Sequence, residues 1–353
     1  MFLPASASLL IQLRRKTATS SHKAVKGWVL VLLLSAATGC SQPAPTPPSA
    51  ESTAIPKTKK LKVVATFLPM YWFTKAVAGE KAQVEILIPP GSEVHEYQAT
   101  PRNVNALAIA DVLVKNGLGL EEFLKDTVKN AQNPNLKQID ASKGIQPLGA
   151  TKEIASEEEH KHEHDGEKTA ESKEEKNHAH HHHHPEGNPH VWLDPVLAKQ
   201  QVENIRDGLI AAAPENKEIY SANATAYIQQ LEKLDAEFKE RLSKYPNCTF
   251  ITFHDAFPYL AQRYNLRQVA VVAVPEDNLS PADLQKTVAT VKEFNVKALL
   301  GEKGTENKLL QTLSQDLKVN LHFLDSLEMG PLDPQYYFTA MQANLQTLEA
   351  ACK

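Results

Sequence analysis

Short runs of β-branched and apolar residues alternate along this chain with longer stretches whose apolar positions recur every three or four residues. Runs of the first kind fall at residues 61–66, 83–88, 111–116 and 136–140, and each reads as a strand. Helical periodicity occupies residues 70–78, 101–110, 121–131 and 195–213. The same alternation restarts further on. Strands are predicted at 248–253, 268–274, 296–301 and 319–325, with helices at 255–264, 281–294, 307–317 and 334–351. Between the two series, Pro214 opens a helix reaching about residue 244, with Ile228, Leu231, Leu234, Phe238 and Leu242 on one face. Some thirty helical residues span about 45 Å, more than one small lobe needs. Strands separated by helices give parallel sheets covered by helices. The pattern therefore predicts an α/β protein of two βα lobes, each with a parallel sheet of about four strands. The N-terminal lobe is residues 61–213 and the C-terminal lobe 246–353. A spine helix at 214–245 joins them, with a cleft between.

Three segments break this pattern. Residues 28–37 are apolar, follow Lys23 and Lys26, and are too short to span a membrane as a mature helix. They suit a signal peptide over residues 1–39. Ala37-Thr38-Gly39-Cys40 follows, and small residues ending in Gly-Cys resemble a bacterial lipoprotein processing site with Cys40 as the lipidated first residue. Ala37 stands where leucine is usual, so secretory cleavage without lipidation is the alternative. Residues 40–60, rich in Pro, Ser and Thr, read as anchor and tether. The third segment, residues 151–187, is acidic and nearly free of apolar residues. It holds nine of the chain's fourteen histidines: His160, His162, His164, His178, His180, His181, His182, His183 and His184. Such a composition buries too little surface to offset its ordering entropy. It predicts an unfolded loop that attracts zinc, copper or nickel through imidazole nitrogen.

Charge narrows the partners. Thirty-eight basic against forty-two acidic residues, with no basic stripe, argue against nucleic acid. Export implies an oxidising compartment, where Cys248 and Cys352 form either one disulfide or two buried thiols.

Candidate ligands cluster at predicted strand ends, where parallel α/β sheets bind their ligands. His95 lies in the loop after the 83–88 strand, His254 directly follows the 248–253 strand, and Asp325 ends the 319–325 strand. His190 lies where the histidine-rich insert returns to apolar sequence, in Asn188-Pro189-His190-Val191-Trp192. Two from each lobe, these three imidazoles and a carboxylate make a closed four-coordinate set for Zn²⁺ in the interlobe cleft, with a net charge of +1. Glu276 and Glu302 also end predicted strands and are reserve carboxylates. His322 reads as a strand histidine without a metal role, and Tyr97 and Trp192 as cleft walls. No phosphate loop or Ser-His-Asp arrangement is present.

At these residues the chain resembles the cluster A-I solute-binding lipoproteins of bacterial ABC transporters. The motifs are Gly91-Ser92-Glu93-Val94-His95-Glu96-Tyr97, Asn188-Pro189-His190-Val191-Trp192-Leu193-Asp194-Pro195 and Phe253-His254-Asp255-Ala256-Phe257. In manganese-binding relatives the His254 position is glutamate, so histidine here and the acidic insert resemble the zinc branch. Where relatives often have Asp-Pro-His this chain has Glu93-Val94-His95, which leaves Asp325 or a water as fourth ligand. The resemblance implies a monomeric, extracytoplasmic, lipid-anchored Zn²⁺ receptor serving an ABC permease, and no enzyme activity. A manganese- or iron-binding paralogue, a zinc-storing surface lipoprotein or adhesin, and a zinc hydrolase are the rival readings.

Overall fold

In the computed structural model, residues 60–149, 187–272, 281–304 and 308–353 are described. The leader, Cys40, the tether, the nine insert histidines and Glu276 lie outside them. The strands are β1 (Leu61–Ala65), β2 (Ala82–Ile86), β3 (Val112–Lys115), β4 (Lys137–Asp140), β5 (Thr249–His254), β6 (Arg267–Val272), β7 (Ala298–Glu302) and β8 (Asn320–Leu324). They form two all-parallel four-stranded sheets of matching order, β2-β1-β3-β4 and β6-β5-β7-β8. The helices are α1 (Leu68–Ala78), α2 (Pro101–Ala108), α3 (Leu124–Ala131), α4 (Pro195–Ala212), α5 (Lys217–Leu242), α6 (Pro258–Arg263), α7 (Pro281–Glu293), α8 (Lys308–Leu317) and α9 (Tyr336–Cys352).

Strand parity explains the layering. Successive side chains point to opposite faces of a sheet. Val63, Ala65, Val112 and Val114 join the large central core, while Val64 and Leu113 join a smaller one beneath α2 and α3. The second sheet repeats this: Phe250, Ala298 and Leu300 face the central core, and Ile251, Phe253 and Leu299 face a cluster with Val291 and Leu310. Sheets buried on both faces need nearly continuous apolar strands, as Leu61-Lys62-Val63-Val64-Ala65 and Thr249-Phe250-Ile251-Thr252-Phe253 supply. The central core thus runs through both lobes without interruption. Parity also places His254, two residues beyond Thr252, on the face of Phe250, turned toward that shared interior.

The connecting helix is shorter than its periodicity suggests. Pro214–Asn216 forms a 3₁₀ turn and α5 proper covers 26 residues, about 39 Å. Its buried side, Tyr220, Ala224, Tyr227, Leu231, Leu234, Phe238 and Leu242, steps by three and four residues. α5 packs on α1 and α4 of the first lobe and α9 of the second. Cys248, just ahead of β5, is disulfide-bonded to Cys352 at the end of α9, with their Cα atoms 5.8 Å apart. α9 is thereby fastened to the strand that ends in His254.

Two predicted helices start late for local reasons. Gly117, Leu118 and Gly119 all adopt positive φ, so α3 begins at Leu124. The buried Glu121 carboxylate holds that turn, accepting from the Asn116 and Gly117 N–H groups and the Thr66 hydroxyl. The chain bends at Asp255 and runs irregularly through 256–257 before α6, which begins at Pro258.

Candidate metal centre

The site is assembled by four chain segments. His95 sits in the loop between β2 and α2. Tyr97 braces that loop: its hydroxyl bonds Asn103 Oδ1 at 3.0 Å and its ring packs edge-on against Phe123. Tyr97 is therefore a strut of the loop, and it also lines a cavity together with His95 and Phe123. His190 precedes a 3₁₀ turn, Val191–Leu193, that runs into α4. Asp194 fixes this entry as N-cap, its Oδ1 accepting from the Val196 N–H, with Pro195 in the first turn. Asp194 Oδ2 also accepts from Arg263 of α6 at 2.8 Å, tying the two lobes together. His254 is the last residue of β5.

The three imidazoles converge through their Nε2 atoms. His190 Nε2 lies 3.2 Å from His95 Nε2 and 3.0 Å from His254 Nε2. A fourth donor, Glu328 Oε1, lies 3.7 Å from His190 Nε2 and 3.9 Å from His95 Nε2. All four ligand atoms fall within 4.8 Å of one another. Zn–N bonds of ~2.0–2.1 Å arranged tetrahedrally set ligand atoms about 3.3 Å apart. The observed separations bracket that spacing, and the side chains are almost wholly buried.

Asp325 is not among the clustered donors, and its own bonds show why. Its Oδ2 accepts from the Tyr336 hydroxyl at 2.8 Å and from Lys303 Nζ at 3.2 Å, while Oδ1 accepts from the Leu327 N–H at 2.9 Å. Asn344 of α9 grips its backbone at both N and O, each at 2.8 Å. Asp325 thus shapes the turn, and Leu327, at φ 69° and fully buried, bends the chain so that Glu328 faces the histidines. The strand-end reading points to Asp325, three residues short of the carboxylate that clusters with the histidines. The available signal was a second carboxylate three residues on, in Asp325-Ser326-Leu327-Glu328.

The histidines have different supports. Asn188 Oδ1 accepts from His190 Nδ1 at 3.0 Å. His254 Nδ1 instead meets the Glu302 carboxylate at 3.1 Å. Burial depresses the His254 imidazole, but the Glu302 charge and hydrogen bond, with Glu328 and Asp255 beyond, outweigh it and push it up to about 9. Burial pulls Glu302 the other way, yet His254 and the Ser326 hydroxyl hold it below the usual carboxylate range. Glu302 is thus a buried partner of a histidine in this structure. Trp192, also fully buried, spans the lobes: its Nε1 donates to Ser326 O at 2.8 Å and its carbonyl accepts from Tyr337. His322 lies on β8 opposite Leu300, outside the cluster.

Two matched parallel sheets around a buried three-histidine, one-carboxylate centre describe a solute-binding protein for a metal ion. A profile of the periplasmic zinc-uptake complex component A (ZnuA) family matches residues 63–351, and the chain belongs to that family. It is 36% identical over 306 residues to the high-affinity zinc uptake system protein ZnuA of Bacillus subtilis, covering 85% of this chain and 90% of that one. Zinc-binding lipoprotein AdcA of Streptococcus pneumoniae is 35% identical over 82% of this chain, which spans only 55% of AdcA's length. The crystal structure of Zn(II)-bound AdcA superposes with a TM-score of 0.66 at 32% identity, covering 83% of this chain and 58% of that one. A crystal structure of ZnuA gives 0.67 at 26% identity, covering 84% of this chain and all of the other.

Proposed function

We propose that this protein is an extracytoplasmic Zn²⁺ receptor that delivers the ion to an ABC permease. The observation that carries the reading is the convergence of three Nε2 atoms and one Glu328 oxygen in a buried site. Three imidazole nitrogens favour zinc over manganese, because divalent affinity for nitrogen donors rises from Mn²⁺ toward Cu²⁺. With Glu328 as the fourth ligand, the set is complete without water. A closed set binds; a zinc hydrolase keeps a position open for the water it activates.

Zn²⁺ in this site works against protons. His254 is protonated near neutral pH, so capture expels that proton, and Glu302 then accepts the hydrogen bond of the neutral ring's Nδ1–H. One cationic ring is exchanged for an ion that Glu328 partly neutralises. The membrane anchor through Cys40 and the zinc-attracting role of the 151–187 insert belong to the same reading. The insert histidines serve as weaker sites, because each binding event must also order chain.

The test is competition titration of the mature protein against a zinc chelator, with Mn²⁺ as rival. One tight Zn²⁺ that equimolar Mn²⁺ does not displace is expected, and tighter Mn²⁺ binding overturns the assignment. Loss of growth at low zinc on deletion, restored by added zinc, supports import over storage.

A further inference from the structure

Asn188 is buried, and every polar group it carries is engaged. Its N–H donates to Leu148 O at 2.8 Å, and its carbonyl accepts from the Tyr259 hydroxyl. Its side-chain Oδ1 accepts from the backbone N–H of His190 at 3.0 Å, and Nδ2 donates to the backbone carbonyl of Asp255 at 2.7 Å. These last two partners fix the amide's orientation. A backbone N–H can only donate and a backbone carbonyl can only accept, so rotating the amide by half a turn would set two donors and two acceptors against each other. Oδ1 must therefore face His190.

The same Oδ1 stands 3.0 Å from His190 Nδ1. An amide oxygen cannot donate, so that bond exists only when the proton is on Nδ1. We infer that Asn188 is a positioning residue that sets the His190 tautomer, holding the ring proton on Nδ1 and leaving the Nε2 lone pair directed at His95 and His254. This rests on the zinc-receptor reading and adds a determinant to it. The tautomer is dictated by two main-chain groups from different lobes, His190 N–H and Asp255 C=O, relayed through one amide. Nδ2 also lies 3.3 Å from Asp255 Oδ2, next to His254, so the residue that orients one histidine touches the neighbour of another. A singly protonated imidazole free in water populates both tautomers, and the Nε2–H form presents a proton where the ion must sit. Outer partners of metal-binding histidines typically change affinity about 10–100-fold when removed.

The test uses ¹⁵N-histidine-labelled mature protein without metal, in which two-bond ¹H–¹⁵N correlations read each ring's tautomer. Chelator competition with Zn²⁺ is run in parallel. Asn188→Ala is expected to move His190 from Nδ1–H to a mixture and weaken Zn²⁺ about 10–100-fold, with the signals of His322, on β8 outside the cluster, unchanged as evidence of an intact fold. Asn188→Asp retains an acceptor at both His190 groups but turns its second oxygen toward the Asp255 carbonyl, so it should keep the Nδ1–H form whatever affinity it loses. An alanine variant that keeps the Nδ1–H form overturns the inference, as does an aspartate variant that loses it. If the unaltered protein shows the expected tautomer but binds no Zn²⁺ tightly, the receptor reading fails and the tautomer assignment stands.

Discussion

The two lobes have the same strand order but bring different chemistry to the centre. The first lobe gives two imidazoles on loops and turns: His95 from the β2–α2 loop, and His190 from the turn before α4, backed by the Asn188 amide. The second gives charge on a braced frame. His254 ends a strand, its partner Glu302 ends the neighbouring one, and Glu328 projects from a turn gripped by α9. Among the described residues, both carboxylates at the centre come from this lobe. An imidazole ring on a turn needs orientation, which Asn188 provides for His190 through a hydrogen bond. Buried charges need a rigid setting, because an anion that relaxes away from its partner is left desolvated and unpaired.

The largest effect should come from unfastening that frame. Replacing Cys248 and Cys352 by serine opens a crosslink between residues 104 apart. Loss of a native bridge typically costs about 2–5 kcal/mol. Urea unfolding should show that loss, while zinc affinity in the folded protein stays within about threefold. A comparable loss in both would mean that the bridge shapes the centre itself.

Next come the ligands. Substituting His95, His190 or His254 by alanine, or Glu328 by glutamine, should weaken Zn²⁺ by more than about 100-fold, beyond the range of outer-shell changes. Asp325→Asn, which removes only a turn-shaping charge, should cost less than about tenfold. Chelator competition that ranks Asp325 above Glu328 would return the fourth position to Asp325.

The charge difference predicts a pH signature. His254 is protonated below about 9, so zinc affinity should climb about tenfold per pH unit through neutrality and level off near that value. In Glu302→Gln the plateau should begin at lower pH. For the metal-free protein the sign reverses. The raised imidazole contributes full stability below its unfolded value near ~6.5, and that contribution is lost as pH rises through about 9. Calorimetric melting across that window reads it. Deleting residues 157–184 should remove several weak, acid-sensitive zinc equivalents and leave the tight one. The smallest change belongs to His322→Ala, within ~0.5 kcal/mol by denaturation and without effect on zinc.

Much of this fold was readable from periodicity, because strands buried on both faces carry unbroken apolar runs and α5 carries a clear three-four spacing. The three histidines were readable from strand ends and flanking motifs. What escaped depended on backbone conformation. The late start of α3 follows turns that run from the positive-φ residues 117–119 through 123, and the presence of Glu328 rather than Asp325 in the cluster follows from a left-handed Leu327. Leucine gives no hint of that conformation, which a residue with a Cβ seldom adopts. The partners of Nδ1 on His190 and His254 come from residues 2 and 48 positions away. Only the nearer lay within reach of a motif, and nothing in the motif marks it as an orienting group.

The core that runs through both sheets also has a consequence for timing. Swinging the lobes apart would pull α5 from α1, α4 or α9 and wet apolar surface that is otherwise dry. Such an opening is too costly to be the ordinary exit for the ion. Departure is left to local displacement of the His95 loop and the turn bearing Glu328, each pinned to the core by a neighbouring side chain, Val94 and Leu327. The dwell time of bound zinc is then set by how often those two segments yield together. A docked permease can shorten it by pulling on either one, without waiting for the whole receptor to open.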